Sequence, residues 1–205
     1  MLCLMLAVII LLSKSSTALI VGTLLFVYVL IFKKINMKIG INKLMIIYAI
    51  AYVQIVIFRI QETVFKDFIV NVLHKNVTLT GRTLIWDFVM KIIPSSFIFG
   101  YGRDDTIGQH LIIREGVTEA HNGFLEILLC TGIVGVIIFI FILITSFTPL
   151  SRNKSKISYT LSMAIFLYFC IGLTESAFTY TKIGFWILII ISANIKNIMK
   201  QKNTL

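Results

Sequence analysis

The chain has 205 residues, of which 58% are hydrophobic and only 14% are charged, and its formal net charge is +10 at pH 7. A soluble domain carries about 25% charged residues and divides its apolar residues into short periodic segments. The composition therefore excludes a soluble enzyme, a disordered chain and a collagen-like chain. The long apolar runs predict a membrane protein, because about 20 apolar residues cross the hydrocarbon core of a bilayer.

Five apolar segments have the length expected of membrane spans, and a sixth, at 1–12, looks like the remaining half of a span. Lipid offers no hydrogen bonds to an irregular backbone, so each of these segments should be a helix. The predicted fold class is an all-α polytopic membrane protein with about five to six transmembrane helices. In chain order the five segments are 17–32, 44–60, 124–147, 157–173 and 179–198.

The basic residues are concentrated on connections that would all lie on one side of the membrane. The loop 33–43, the loop 152–156 and the C-terminal segment 196–202 contain ten lysines and arginines and no acidic residue. The positive-inside rule places these connections in the cytoplasm. The long connection 59–122 is then extracytoplasmic, and its seven basic residues are balanced by seven acidic residues. The net charge therefore follows topology, and a nucleic-acid partner is not expected.

This pattern divides the chain into three parts. They are N-terminal spans at 1–58, one long extracytoplasmic loop at 59–122, and C-terminal spans with a cytoplasmic basic tail at 123–205. Long loops between spans are usually functional. The loop and the outer ends of the neighbouring spans are therefore the expected location of the functional residues.

The extracytoplasmic loop contains one predicted amphipathic helix, at about 82–93. Apolar residues recur there with a period of about 3.6 residues, and Pro94 follows and should end the helix. Because Trp86 is among the apolar residues, the helix should either lie on the outer membrane surface or cap the helix bundle. The sequence does not choose between these two positions.

Two pairs of glycines suggest close backbone contacts. Gly100 and Gly102 flank Tyr101 in a turn where the missing Cβ atoms permit close approach to another group. Gly132 and Gly135 lie inside the span that follows, where small residues most often permit close helix packing. The turn is a candidate binding feature, and the second pair is interpreted as structural.

Polar side chains near the outer surface are candidates for function, and each also has a structural interpretation. Asn122 suits the N-cap of the following span, whose start offers free N–H groups. Glu126 lies one turn inside that span, where an ionisable residue is a functional candidate unless it reaches the surface. Glu175 lies at the outer end of another span, on the side of the membrane where His121 is expected. Arg82 and His121 would otherwise be a solvated charge and an interfacial polar residue.

The loop and the following span together carry a set of motifs in a defined order. The motif residues are Thr80-Gly81-Arg82, Trp86, Gly100-Tyr101-Gly102, His121-Asn122, Leu125-Glu126, Gly132 and Gly135. This combination resembles the O-antigen ligase and polymerase family. The family pattern is a Ser/Thr-Gly-Arg near a Trp, a Gly-aromatic-Gly turn, and a His-Asn-x-x-Leu-Glu run that enters a span with paired glycines. The resemblance covers residues 13–180.

The resemblance implies a fold similar to the glycosyltransferase-C superfamily and an enzyme of the bacterial plasma membrane whose active face is extracytoplasmic. Such an enzyme transfers a saccharide from undecaprenyl diphosphate to an acceptor hydroxyl, without a metal, a nucleotide sugar or another cofactor. Its partners would be the undecaprenyl-diphosphate-linked oligosaccharide, membrane lipids, and a flippase and a chain-length regulator. The chain is rich in Ile, Lys and Asn, which hints at an AT-rich genome and favours a repeat-unit polymerase over a ligase.

The resemblance also implies roles for individual residues. Arg82 would bind the diphosphate and His121 would act as general base, so these two residues are the predicted catalytic pair. Glu126 or Glu175 would either orient the imidazole or bind sugar hydroxyls. Substrate-binding roles are expected for six further residues, namely Arg103, Tyr101, Lys14, Asn122, Glu126 and Glu175.

The chain departs from the family pattern in two respects. Family members are usually about twice this length, so the chain looks like a C-terminal part. The family also carries Ser-Arg-Thr at the outer end of a preceding span, and here Ser16 stands where that Arg is expected. Lys14 would restore the charge but not the bidentate geometry. Two alternatives therefore stay open beside the enzyme, namely a transporter component and a truncated protein without activity.

Overall fold

The protein is all-helical over the part of the chain that the computed structural model describes, which is residues 16–28, 30, 38–72, 78–79, 81–102, 119–179 and 181–202. No strand occurs within these ranges, in agreement with the predicted all-α class. The α-helices are α1 (Ser16–Val27), α2 (Ile41–Tyr52), α3 (Arg82–Ile92), α4 (Gly123–Arg152), α5 (Lys156–Gly172), α6 (Ile183–Ala193) and α7 (Ile195–Lys202). Short π-helical turns lie at Val53–Ile57 and Phe68–Val72, and a 3-10 turn lies at Ile93–Ser96.

The helix α3 caps one end of the bundle. Its apolar side chains Ile85, Trp86 and Val89 are buried, and they form a small core with Val56 after α2 and Leu129 of α4. Trp86 is completely buried. The apolar side of α3 therefore packs against the helix bundle, as the second of the two expected positions requires. The helix ends at Ile92 and continues as a 3-10 turn that contains Pro94, because proline cannot supply the next helical N–H donor.

The helix α4 begins where the sequence predicts and contains an interruption that the sequence does not predict. Asn122 is the N-cap residue, and its side-chain oxygen accepts hydrogen bonds from the backbone N–H groups of Phe124 and Leu125. This confirms the predicted cap. At Gly132 the backbone leaves the helical conformation, with φ 64° and ψ −166°, so α4 consists of two helical stretches joined at this residue.

The main core is formed by aromatic side chains from α2, α4, α5 and α6, and from the connection between α5 and α6. Phe178 on that connection lies at its centre, with ring centroids 4.8 Å from Phe169 and 5.0 Å from Phe185. Tyr48 of α2 meets Phe169 edge to face at 5.0 Å. Such pairs add to the stability that area burial supplies. The cluster fixes the beginning of α4 relative to the end of α5.

The number of membrane spans stays a prediction. Among the described residues, α4 is long and apolar enough to cross a membrane by itself, and α6 with α7 would make a second span if the pair, which is bent by 67°, is counted as one. The remaining apolar helices are shorter, namely Thr17–Val27, Ile41–Ile57 and Lys156–Gly172. The helices α2 and α4 expose large apolar side chains such as Ile46, Phe141 and Ile144, as expected for surfaces that face lipid.

Candidate functional site

Three segments that are distant in sequence meet near one end of α4. Arg82 is the first residue of α3, His121 precedes the N-cap of α4, and Glu175 follows α5. Arg82 Nη2 donates a hydrogen bond to Glu175 Oε1, and His121 Nδ1 lies 3.7 Å from Glu175 Oε2. The two predicted catalytic residues are therefore brought together by one carboxylate. All three side chains are partly exposed, so a substrate can reach them.

Arg82 is placed by a turn that requires glycine. Gly81 has a φ of 88°, a left-handed conformation that residues with a Cβ rarely adopt. The hydroxyl of Thr78 accepts a hydrogen bond from the Gly81 N–H at 3.1 Å and fixes the turn. The guanidinium therefore extends from the first turn of the helix towards Glu175.

His121 has an unusual backbone conformation. Its φ is 47°, which is uncommon for a residue other than glycine and is often found at functional sites. Within the described part of the chain, its Nδ1 is buried and has no hydrogen-bond partner. The distance from His121 Nδ1 to Glu175 Oε2 is longer than a hydrogen bond, so the two side chains would have to move slightly closer to form one.

Asn122 holds the turn from the other side. Besides the two N–H groups of α4, its Oδ1 accepts a hydrogen bond from the Tyr52 hydroxyl at 3.2 Å. Its Nδ2 donates to the carbonyl of Leu173 at 3.0 Å. Asn122 is completely buried, and both of its polar atoms are bonded within the protein. Its position is that of a structural link between α2, α4 and the end of α5, and substrate binding by Asn122 stays a prediction.

Glu126 lies one turn inside α4, and its side chain is almost completely buried. Its Oε2 accepts hydrogen bonds from the Ala120 N–H at 2.7 Å and from the Ser176 hydroxyl at 3.3 Å. The Cys130 thiol lies 3.6 Å from Oε1. The carboxylate therefore contacts the residue before His121 and the residue after Glu175. Substrate binding by Glu126 stays a prediction.

The Gly-Tyr-Gly turn packs against the interruption of α4. Gly100, Gly102 and Gly132 all have positive φ values, and a Cβ on Gly100 or Gly132 would collide with the backbone of the opposite segment. Four backbone hydrogen bonds join the two segments, from Tyr101 N to Leu129 O, from Gly102 N to Cys130 O, from Ile133 N to Phe97 O and from Val134 N to Ile98 O. The expected close approach of the turn is thus to the protein's own helix.

Tyr101 anchors this turn through its hydroxyl, which donates a hydrogen bond to the carbonyl of Ile92 at 2.7 Å. The ring is partly exposed. Its predicted contact with a sugar ring therefore stays a prediction. Two other predicted substrate-binding residues, Lys14 and Arg103, lie outside the described residues, as does Thr80.

One ion pair near the site was not predicted from the sequence. Arg59, after the π-helical turn of α2, forms a two-point contact with the carboxylate of Asp87 on α3. Asp87 raises the pKa of Arg59 above its ordinary value through this hydrogen bonding. The pair fixes α3 to the end of α2. No sequence spacing rule links these two residues, because they belong to different elements.

The charges of the site reinforce one another. The imidazole of His121 and the guanidinium of Arg82 lower the pKa of Glu175 from its ordinary value, although partial burial opposes the shift. Glu175 is therefore ionised at neutral pH. Within the described residues, no group of three or more histidine, cysteine or acidic side chains is arranged to hold a metal ion.

Comparison with known proteins identifies the family. A family profile described as O-antigen ligase matches residues 1–140. The chain belongs to the O-antigen ligase family. It is accordingly a membrane enzyme of polysaccharide assembly. Neither the curated proteins nor the solved structures gave a match. Arg82, His121 and Glu126 of this O-antigen ligase family member lie within the matched residues, and Glu175 lies beyond them.

Proposed function

We propose that this protein transfers a saccharide from undecaprenyl diphosphate to an acceptor hydroxyl, acting as a repeat-unit polymerase. The observation that carries the proposal is the convergence of Arg82, Glu175 and His121 from three separate segments. Transfer from a lipid diphosphate needs a cation for the leaving group and a base for the hydroxyl. The carboxylate of Glu175, which lies between Arg82 and His121, can orient both the cation and the base.

Arg82 is the proposed ligand of the diphosphate. A guanidinium presents paired N–H donors that match two phosphate oxygens, and its charge offsets the charge that develops on the leaving group. Arg82 is also the first residue of α3, and the N-terminus of a helix favours an anion. Because Glu175 accepts a hydrogen bond from Arg82, the diphosphate would compete with Glu175 for the guanidinium. Arg103 and Lys14 are proposed to add positive charge, and Tyr101 to contact a sugar ring.

His121 is the proposed general base. With Nδ1 protonated and directed towards Glu175, Nε2 is free to accept the proton of the acceptor hydroxyl. The acceptor oxygen then forms a bond to the anomeric carbon, with inversion. The bond from that carbon to the diphosphate oxygen breaks, and undecaprenyl diphosphate leaves with the electron pair. Glu175 would stabilise the resulting imidazolium, and apo distances such as 3.7 Å often shorten in the substrate complex.

The reaction is proposed to occur on the extracytoplasmic face of the bacterial plasma membrane, without a metal or a nucleotide sugar. A flippase would deliver the lipid-linked oligosaccharide, and a chain-length regulator would act on the product. A ligase that transfers the chain to another acceptor is the second candidate. The family match is compatible with both candidates.

The proposal is tested by gel analysis of surface polysaccharide from a deletion strain that carries the wild-type gene or a variant. We expect Arg82→Ala and His121→Ala to lose the long-chain ladder while each protein still reaches the membrane. The matched controls are Lys91→Ala, which removes an exposed cation from the last turn of α3, and His110→Ala. Both controls should restore the ladder.

The pattern of products separates the candidates. Single repeat units without a ladder indicate a polymerase. Long chains that stay on undecaprenyl diphosphate and do not reach their acceptor indicate a ligase. A transporter component predicts that His121→Ala has little effect, and an inactive protein predicts an unchanged ladder after deletion of the gene. Either of the last two results would contradict the enzyme proposal.

A further inference from the structure

One buried carboxylate holds the two segments that carry His121 and Glu175. Ala120, the residue before His121, donates its N–H to Glu126 Oε2 at 2.7 Å, and Ser176, the residue after Glu175, donates its hydroxyl to the same oxygen at 3.3 Å. We propose that Glu126 is a positioning residue that keeps His121 and Glu175 in register. The catalytic meaning of this role rests on the proposed function, whereas the positioning itself does not.

Burial makes these contacts persistent. Glu126 is 2% exposed, Ala120 is completely buried and Ser176 is 1% exposed, so water cannot easily replace either donor. A buried N–H or hydroxyl that lost its acceptor would carry the full cost of desolvation. The two segments are therefore held by buried hydrogen bonds whose loss would be costly.

The backbone of His121 explains why the turn needs such a clamp. A φ of 47° is disfavoured for a residue with a Cβ, and such a conformation persists only when its surroundings enforce it. Asn122 holds the chain after His121 by capping α4, and Glu126 holds the chain before it. Loss of the second contact would free the turn to relax and carry the imidazole away from Glu175.

The hydrogen bonds of Glu126 also allow a positioning role to be distinguished from a direct role of its carboxylate in the reaction. Both donors use Oε2, whereas Oε1 is near the Cys130 thiol. A glutamine can place its carbonyl oxygen at the position of Oε2 and keep both hydrogen bonds. A positioning role therefore tolerates Glu126→Gln far better than Glu126→Ala. A role in proton transfer or as a required charge would be lost in both variants.

The test measures the reactivity of His121 without any substrate. The full chain is purified in detergent and treated with diethylpyrocarbonate, and modification of His121 is followed by mass spectrometry, with His74 and His110 as internal references. We expect Glu126→Ala to raise the relative rate at His121 by about fivefold, the factor that corresponds to one typical hydrogen bond. Glu126→Gln should stay within about twofold of the wild type.

Two further variants keep the test decisive. Leu150→Ala removes a buried side chain from the other end of α4 and controls for general destabilisation, so it should leave the relative rate unchanged. If Glu126→Ala does not fold, Ser176→Ala removes one donor alone and should still raise the rate at His121. An unchanged rate in the folded variant, or equal rates for Glu126→Gln and Glu126→Ala, would overturn the proposal.

The same variants are then placed in the deletion strain. A change in His121 reactivity together with a weaker ladder supports both the positioning role and the proposed function. Because misplacement of a catalytic group by 1 Å can cost about 100-fold in rate, the ladder of Glu126→Ala should be strongly reduced. If the wild type itself restores no ladder, the proposed function fails, whereas the reactivity of His121 still decides the positioning role.

Discussion

Glu175 is the side chain on which the candidate site is organised. It accepts a hydrogen bond from Arg82 through one carboxylate oxygen and faces His121 through the other. A carboxylate between a guanidinium and an imidazole N–H can orient both groups, and the guanidinium stabilises its ionised form. Removing Glu175 should therefore change the positions of both proposed catalytic side chains at once. Glu175 follows α5 and lies outside the residues that match the family.

The lowered pKa of Glu175 makes a prediction about stability and pH. A carboxyl group whose pKa is lower in the folded state than in the unfolded state stabilises the fold above its ordinary pKa, 4.5 here. This contribution is lost as the pH falls through the lowered pKa. Glu175→Gln should therefore be less stable than the wild type at neutral pH, by no more than about 1 kcal/mol because the pair is partly exposed.

Thermal unfolding in detergent at a series of pH values checks this prediction. The difference between wild type and Glu175→Gln should narrow as the solution becomes acidic. Asp67→Asn, which removes an exposed acidic charge, should show no such pH-dependent difference. A gap that widens towards acidic pH would contradict the described environment of Glu175.

At the residue scale, the sequence predicts which side chains belong to the candidate site better than it predicts the contacts between them. Arg82 and His121 follow from the motif order, and Glu175 is expected on the side of the membrane where His121 lies. The sequence cannot show that Glu175 links the two residues, because the link depends on how α3, α4 and α5 pack. Ser176 gives no sequence signal at all, since an isolated serine beside a span is common.

At the scale of elements, the interruption of α4 is the main feature that organises the helices around the site. The Gly100–Gly102 turn inserts its backbone beside Gly132 and takes up the hydrogen bonds that the helix loses there. Backbone groups left unpaired in a buried position are costly, so the two segments need each other. This pairing ties the loop that follows α3 to the helix that follows His121.

Gly132→Ala should therefore destabilise the protein strongly. An alanine would have to adopt a φ of 64°, and its Cβ would collide with the carbonyl of Ile98. We expect a loss of about 2 kcal/mol or more in the free energy of unfolding, measured as a lower thermal midpoint in detergent. Gly40→Ala is the matched control, because a Cβ there meets no atom within 4 Å and the φ is −79°. Equal midpoints for the two variants would contradict this description.

The elements differ in how far the sequence predicts them. The period of the apolar residues indicates α3, and Asn122 indicates the start of α4, because both signals are local. The break at Gly132 is not predicted, since the apolar run continues through it without a change in composition. The apolar context of Gly132 predicts close packing of helices, whereas the structure places the backbone of Ile98 and Phe99 against this glycine.

At the scale of the whole molecule, the sidedness of the membrane determines what the site can meet. The charges predict that the basic connections are cytoplasmic and that the loop 59–122 is extracytoplasmic. Alkaline phosphatase, which folds only outside the cytoplasm, should therefore be active when fused after Gly102 and inactive when fused after Asn153. β-Galactosidase fused at the same two positions serves as the reciprocal control. The reverse pattern would place the site on the wrong side for an externalised lipid-linked saccharide.

The central claim is that Arg82, Glu175 and His121 transfer a saccharide from a lipid diphosphate. The most direct measurement uses membranes of the deletion strain in which the protein or a variant is produced. The lipid-linked repeat unit, extracted from the same strain, is added to these membranes in buffer that contains a chelator. Wild type and His74→Ala should lengthen the saccharide and release undecaprenyl diphosphate, and His121→Ala should do neither. Equal release by wild type and His121→Ala, or no release by the wild type in membranes that contain the protein, would contradict the account.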